Sequence, residues 1–552
     1  MANEMQDTSR RASLNTRVVS AFPVATAPSS DKLRGGYYTP QPIAEFLAGW
    51  VSGAGQRVLE PSCGDGALLR PLAQHVRYAL GIELESVEAQ KAQVMSGAEV
   101  IEADFFRWFS ATEWSQWDGV AGNPPFIRFQ NWTDPTRGLA FDLMRAAGLR
   151  PTKLTNAWVP FVVGSTLALR DGGRLGMVVP AELLQVTYAA QLRGFLVDQY
   201  TDLTAVTFRR LVFEGVLQEV VLLLGVRGDG PACIRVVEVE DVTELDEVGD
   251  PLALPHAPAL RHETEKWTKY LLPPSGIEAL RAARTHPRLA RLGDIADVDV
   301  GVVTGRNQFF VMTPTTTMRR ALGDHVIPLV SKSAHLRGVR FDRADMHTLR
   351  DADAPCDLLA VSDAAEVADD SPLRLYIAAG EVEDVHRGYK CSIRKRWWVV
   401  PSIWTPHAFL LRQIYDHPRI IANDAGAIST DTIHRVRMRN GTPPDLLAAA
   451  SINSATFAFA EIIGRSYGGG VLELEPREAE DLPFPDPHAL PGECVAEVDA
   501  LVRSRDLVGA LDLVDRRLLV DALGFDPALI AELRGVWERL RDRRLARGKR
   551  TS

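Results

Sequence analysis

Cysteine is scarce in this 552-residue chain, five in all, and no two stand close enough to make a C-x-x-C pair. That spacing argues against a disulfide framework and against structural zinc, and it suits a reducing cytoplasm. No apolar run reaches the length of a membrane span, and the N-terminal residues lack the apolar core of a secretory signal, so no membrane partner is expected. Positive charge is not in excess, since 62 Lys and Arg stand against 71 Asp and Glu for a net charge of −9. The total does not announce a polyanion partner, yet nucleic-acid binding needs only a local basic face. Also missing is the G-x-G-x-x-G turn that holds a pyrophosphate in dinucleotide folds. What remains is 46% hydrophobic and 24% charged, the composition of a soluble globular protein. The length predicts two or three domains.

Residues 1–30 are rich in Ser, Thr, Ala and Arg without hydrophobic period and read as a disordered tail. A helical face follows, with Ile43, Phe46, Leu47 and Trp50 in phase, Thr39 at the expected N-cap and Pro42 in the first turn. A short strand then ends in Glu60-Pro61-Ser62-Cys63-Gly64-Asp65-Gly66, where glycines let a ligand approach the backbone. The next strand ends in Glu83, about where an acidic residue meets a ribose in dinucleotide folds. A third ends in Asp104-Phe105, a carboxylate and an aromatic face for a purine. The fourth ends in Asn123-Pro124-Pro125-Phe126. Its two prolines fix φ and stiffen the strand end, aiming an amide and a ring at something flat that carries an NH₂ group. Four successive strand ends with polar or aromatic residues predict an α/β sheet that binds a ligand beyond its carboxyl ends. With acids in place of a phosphate turn, that ligand is a nucleoside without pyrophosphate, carrying positive charge. Strands at 175–180, 203–208 and 219–224 follow, and the loop between the last two has an apolar tip at Phe213.

Taken together, Tyr38-Thr39-Pro40, the turn from Glu60 to Gly66, Glu83, Asp104-Phe105 and Asn123-Pro124-Pro125-Phe126 resemble the N6-adenine DNA methyltransferases of the γ arrangement, a class of type II restriction–modification methylases. The resemblance is close over residues 34–230 and looser beyond. It implies a class I S-adenosylmethionine-dependent methyltransferase fold, a mostly parallel seven-stranded sheet with helices on both faces, followed by an α+β target recognition domain and a helical tail. It implies S-adenosyl-L-methionine as cofactor, held by Thr39, Glu60, Cys63, Gly64, Gly66, Glu83, Asp104 and Phe105, and no metal. Asn123 and Pro124 would hold the target amine with Pro125 behind them, and Phe126 and Phe213 would stack on the extruded base. Double-stranded DNA is the implied partner, a monomer the implied state, and a separate restriction endonuclease the implied companion, because no paired-carboxylate-plus-Lys cluster stands out.

The expected division is a catalytic domain at 31–245, an acidic, Pro-rich linker at 246–289, a recognition domain at 290–490 and a helical segment at 491–552, whose last basic residues are read as frayed or near phosphates. Val300 to Asn307 resembles the opening of recognition domains. Within this half the most DNA-like patch is His386, Arg387, Lys390, Arg394, Lys395 and Arg396, running into Trp397-Trp398. A solvated strand face with a buried Trp is the bland alternative. Pro355-Cys356 matches the nucleophile pair of cytosine-C5 methyltransferases, but it lies far beyond the cofactor motifs and after an acidic loop. A glutamine or ribosomal-RNA methyltransferase would use the same Asn-Pro-Pro-Phe, although such enzymes lack so large a second unit. A non-catalytic DNA-binding relic is the third reading, and the intact Asn123 and cofactor acids speak against it.

Overall fold

The structure, a computed structural model, describes residues 38–548 apart from 133, 214–217, 259, 261–264, 364–366, 440 and 468. The tail expected at 1–30 and the loop tip after Phe213 therefore lie outside the described residues.

The first half is one eight-stranded sheet: β1 (Arg57–Glu60), β2 (Tyr78–Glu83), β3 (Glu99–Glu102), β4 (Trp117–Gly122), β5 (Leu169–Pro180), β6 (Tyr200–Phe208), β7 (Val220–Arg227) and β8 (Cys233–Val239), in the order β3-β2-β1-β4-β5-β7-β6-β8. Strands β1 to β5 are parallel, and β7 is antiparallel to both neighbours. The strand order switches between the parallel neighbours β1 and β4, so the ends of these two strands face the same crevice. Buried runs such as Leu175 and Met177 to Val179 on β5 are those of a sheet covered on both faces. The expected seven strands are one too few. β8 adds to β6 in parallel from Asp202↔Cys233 to Phe208↔Val239, and Arg235 pairs with Asp202 at 2.7 Å.

Helices α1 (Gln41–Ser52), α2 (Leu69–His75), α3 (Ser86–Ser96), α4 (Phe105–Ser110), α5 (Thr136–Ala146) and α6 (Trp158–Ala168) flank this sheet. Trp50 of α1 donates its indole N–H to the Leu175 carbonyl at 2.7 Å. Thr39 is not the N-cap of α1. Pro40 holds that position, no side chain caps the helix, and the Thr39 hydroxyl serves the site instead.

The segment expected as a linker is partly ordered: Trp267 and Tyr270 are buried, and a helix, α7 (Pro274–Arg284), packs on the chain's last helix, where a Cβ on Gly276 would meet Val536 Cγ2 at 2.9 Å. Beyond it stand a five-stranded and a four-stranded sheet. Gly301 explains the Val300 to Asn307 stretch, since a Cβ there would lie 2.0 Å from the Thr430 carbonyl oxygen.

Two helices close the chain's frame, α8 (Ser454–Ile463) and α9 (Pro527–Gly548). The described arginines near the end of α9 turn inward and pack the helix on the rest of the chain, while Lys549 and Arg550 lie outside the described residues. Arg544, 1% exposed, pairs with Glu461 of α8, while Arg543 and Arg547 pair with Glu219 at the start of β7. Among the described residues no single helix is long and apolar enough to cross a membrane.

Candidate active site

The turn after β1 is shaped by two left-handed glycines, Gly64 at φ 54 and Gly66 at φ 89. A Cβ on Gly66 would lie 2.8 Å from the backbone of Ala92 in α3, so only glycine fits. The turn is pinned from β2: the Cys63 amide donates to the Ile82 carbonyl at 3.0 Å, and the Gly64 amide to one Glu83 oxygen at 2.9 Å. The other Glu83 oxygen accepts from the Glu85 amide at 2.9 Å. Glu83 thus staples two strand ends while still facing the space between them.

That space is a cavity of about 370 Å³ at the carboxyl ends of β1 to β4. Of the residues predicted from sequence it brings together Thr39, Glu60, Cys63, Gly64, Glu83, Asp104, Phe105, Asn123 and Pro125. Gly66, Pro124, Phe126 and Phe213 are not among its lining residues. Gly66 shapes the turn, and Phe126 packs between the two hydrophobic clusters of the domain. Phe213, expected as the second stacking ring, is 6% exposed and packs with Ile43, Val206 and Phe208 in the cluster that Phe126 rests on.

The electrostatics of the wall are one-sided. Glu60, Asp65, Glu83, Glu85, Glu88 and Asp104 line it, and no Lys or Arg does among the described residues. Glu60 is 2% exposed, and its Oε2 has no hydrogen-bond partner among the described residues. Burial, with the carboxylates of Glu83 and Asp65 behind it, pushes the Glu60 carboxyl well above the ordinary carboxylate range. A buried acid without a partner is costly, and a cationic ligand offsets that cost. The same burial raises the Cys63 thiol, which is no nucleophile here. Cys356, fully buried and raised to about 11, is equally inert.

Two features were not read from the sequence. The Thr136 hydroxyl donates to Asp104 Oδ2 at 2.7 Å, while Asp104 Oδ1 accepts from the Arg107 amide at 2.9 Å as the N-cap of α4. Trp132 and Phe161 complete the aromatic part of the wall, with Phe105 stacked on Phe161 at 5.3 Å between centroids. No local pattern marks them, because they enter from the connection after β4 and from α6. At the rim, Asn123 donates its amide nitrogen to the Thr39 hydroxyl at 3.3 Å.

The patch at 386–398 is divided between inward contacts and exposed cations. Arg394 donates to the carbonyls of Val303 and Thr304, Arg396 to that of Asp363, and Arg387 pairs with Asp384. Trp397 is buried against Phe309 and Phe310, so the bland alternative holds for it. Lys390 and Lys395 remain exposed.

Residues 75–213 match the family model described as Eco57I restriction-modification methylase, and residues 264–519 match that of the type II methyltransferase M.Eco57I C-terminal domain. The chain belongs to the type II restriction–modification methylases. This methylase is 20% identical over 475 residues to the type II methyltransferase M.AccI of Acinetobacter calcoaceticus, covering 80% of this chain and 83% of that one. It is also 20% identical over 476 residues to M.XamI of Xanthomonas campestris pv. amaranthicola, covering 82% and 85%. Among solved structures, the type IIG restriction endonuclease BpuSI aligns with 93% of the methylase and 66% of its own chain, at 15% identity and a TM-score of 0.40. As a member of this family the methylase is a DNA methyltransferase.

Proposed function

We propose that the methylase transfers a methyl group from S-adenosyl-L-methionine to N6 of an adenine that is flipped out of a specific sequence in duplex DNA. The observation that carries the reading is the position of Asn123-Pro124-Pro125-Phe126 at the rim of a cavity walled by carboxylates and aromatic rings. The orphaned Glu60 oxygen and the absence of lining cations among the described residues support a cationic nucleoside there. Glu60 and Asp65 would face its cationic part, Glu83 its ribose hydroxyls, and Asp104, held by Thr136, its adenine amine, beside Phe105.

The bound cofactor supplies an electrophilic methyl carbon on a sulfonium. Everything else falls to the protein. An adenine N6 lone pair is delocalised into the ring and attacks poorly. The Asn123 side-chain oxygen and the Pro124 carbonyl would accept the two amine hydrogens, which favours a pyramidal nitrogen whose lone pair faces the methyl carbon. Such positioning and preorganised polarity supply the acceleration without a metal. The target must leave the helix to arrive there, and Phe126 offers a stacking face worth ~1–3 kcal/mol.

The sheet domain would perform this chemistry and residues 290–490 would choose the sequence, in a cytoplasmic, monomeric enzyme that protects host DNA from a separate nuclease. Calorimetry tests the first half: S-adenosylmethionine should bind the free protein, and Asp104→Ala should weaken it. Failure of the wild type to bind would overturn the reading.

A further inference from the structure

Besides the exposed Lys390 and Lys395, cations of the second half gather at a second place. A second cavity, of about 750 Å³, opens between strands of the recognition unit and the helices that follow it. Its wall carries Arg337, Arg419, Arg503 and Arg505 against a single carboxylate, Asp416. Arg503 is already paired with Asp345 and Asp499, and Asp416 accepts from His417 at 3.2 Å.

The other three arginines form no ion pair among the described residues. Arg419 spends its terminal nitrogens on the carbonyls of Leu336 and Arg337, at 2.7 and 3.1 Å, and its Nε is buried without a partner among those residues. Arg337 and Arg505 are exposed and form no side-chain hydrogen bond among the described residues either. Burying a cation without an anion is expensive, and arginine forks match phosphate oxygens.

The cavity is joined to the catalytic domain. Gln413 on its wall belongs to a strand, Gln413–Ile414, that pairs with Leu472–Glu473, which pairs in turn with Arg465–Ser466. The Ser466 amide donates to Gln185 at 2.8 Å, in the short helix after β5. Three strands therefore run from Gln413 on the cavity wall to the contact with the active-site domain, about 10 Å across at the usual spacing.

We propose that this cavity takes a backbone phosphate of the same DNA duplex whose target base enters the catalytic cavity. The inference rests on the DNA-methylating function proposed above. Continuity with the docked sheet favours a DNA phosphodiester over a free phosphate ion, which offers the arginines the same chemistry.

The test compares the full-length protein with the double variant Arg337→Gln, Arg505→Gln, measuring duplex binding by fluorescence anisotropy over a range of salt concentrations. The variant should bind specific and unrelated duplexes more weakly alike. Its slope of log K against log salt should shrink by about 0.9, the change for one lost phosphate. Melting temperature and S-adenosylmethionine affinity should stay unchanged, and if the double variant does not fold, Arg337→Gln alone should show about half the slope change. An unaltered affinity and slope in a folded variant would overturn the inference while leaving the proposed function standing. It is equally overturned if inorganic phosphate raises the melting temperature of the wild type alone and the DNA slope does not move, since the ligand is then the free ion. A wild type that binds no duplex would overturn the proposed function and this inference with it.

Discussion

The side-chain nitrogen of Asn123 donates to the hydroxyl oxygen of Thr39 at 3.3 Å, across 84 positions of sequence. One end of the carboxamide is thereby committed, which restricts how the group can turn. Thr39→Val should leave Asn123 in place but loosen its orientation, lowering kcat by about tenfold with the KM for DNA little changed. Thr39→Ser, which keeps the hydroxyl, should restore most of it. Steady-state kinetics decide, and equal losses in both variants would mean that the hydroxyl of Thr39 does not by itself carry the effect.

Asp104 is held from both sides, by the Arg107 amide and by the Thr136 hydroxyl. Asp104→Ala should weaken S-adenosylmethionine binding by roughly 1–3 kcal/mol, because it leaves a buried amine unpaired. Thr136→Val should weaken it by about 1 kcal/mol through Asp104 alone. In the double variant the Thr136 effect should vanish, and calorimetry on the three proteins would expose any additivity.

Glu60 makes stability depend on pH. Its carboxyl is raised in the folded protein above the ordinary 4.5, chiefly by burial. The unfolded chain then releases this proton first as pH rises, so folding loses stability from about pH 5 upward until the folded group also ionises. Glu60→Gln should flatten that fall, as read from urea melts of the ligand-free protein at several pH values. Binding a cation beside Glu60 should release a proton in the same window, seen as a buffer-dependent binding enthalpy. Identical pH profiles for wild type and variant would place the buried acid elsewhere.

Arg544 and Glu461 form a buried pair that locks α9 to α8. Arg544→Ala leaves the carboxylate alone in the interior and should cost about 3–5 kcal/mol of stability. Replacing both partners with apolar residues of similar volume should recover much of the loss. Denaturant melts test this; a loss under about 1 kcal/mol would mean that water reaches the pair.

The catalytic half was readable because each key residue ends a strand, where local pattern and turn chemistry coincide. Glu60, Glu83, Asp104 and Asn123 follow four short apolar runs, and parallel pairing necessarily brings such ends to one edge. Thr136, Trp132 and Phe161 are not readable, since they reach the cavity from the start of α5, from the connection after β4 and from the largely apolar α6, where no strand-end pattern marks them. The same limit explains the second half. Composition marks Arg394 and Trp397 as a basic, aromatic face, but whether a side chain turns inward depends on partners such as the Val303 carbonyl, 91 positions away. The arginines of α9 likewise find Glu219 and Glu461 only in the folded chain. β8 carries little signal of its own because its alternating residues run straight into an acidic stretch that resembles a linker.

Whether Asn123 presents an adenine amine for methylation is open to one direct measurement. Duplex DNA treated with the methylase and isotopically labelled S-adenosylmethionine is digested to nucleosides and analysed by mass spectrometry. Label should appear in N6-methyladenine alone with the wild type, and should drop by about 100-fold or more with Asn123→Ala at unchanged cofactor affinity. Label in any other base, or undiminished N6-methyladenine from Asn123→Ala, would contradict that role.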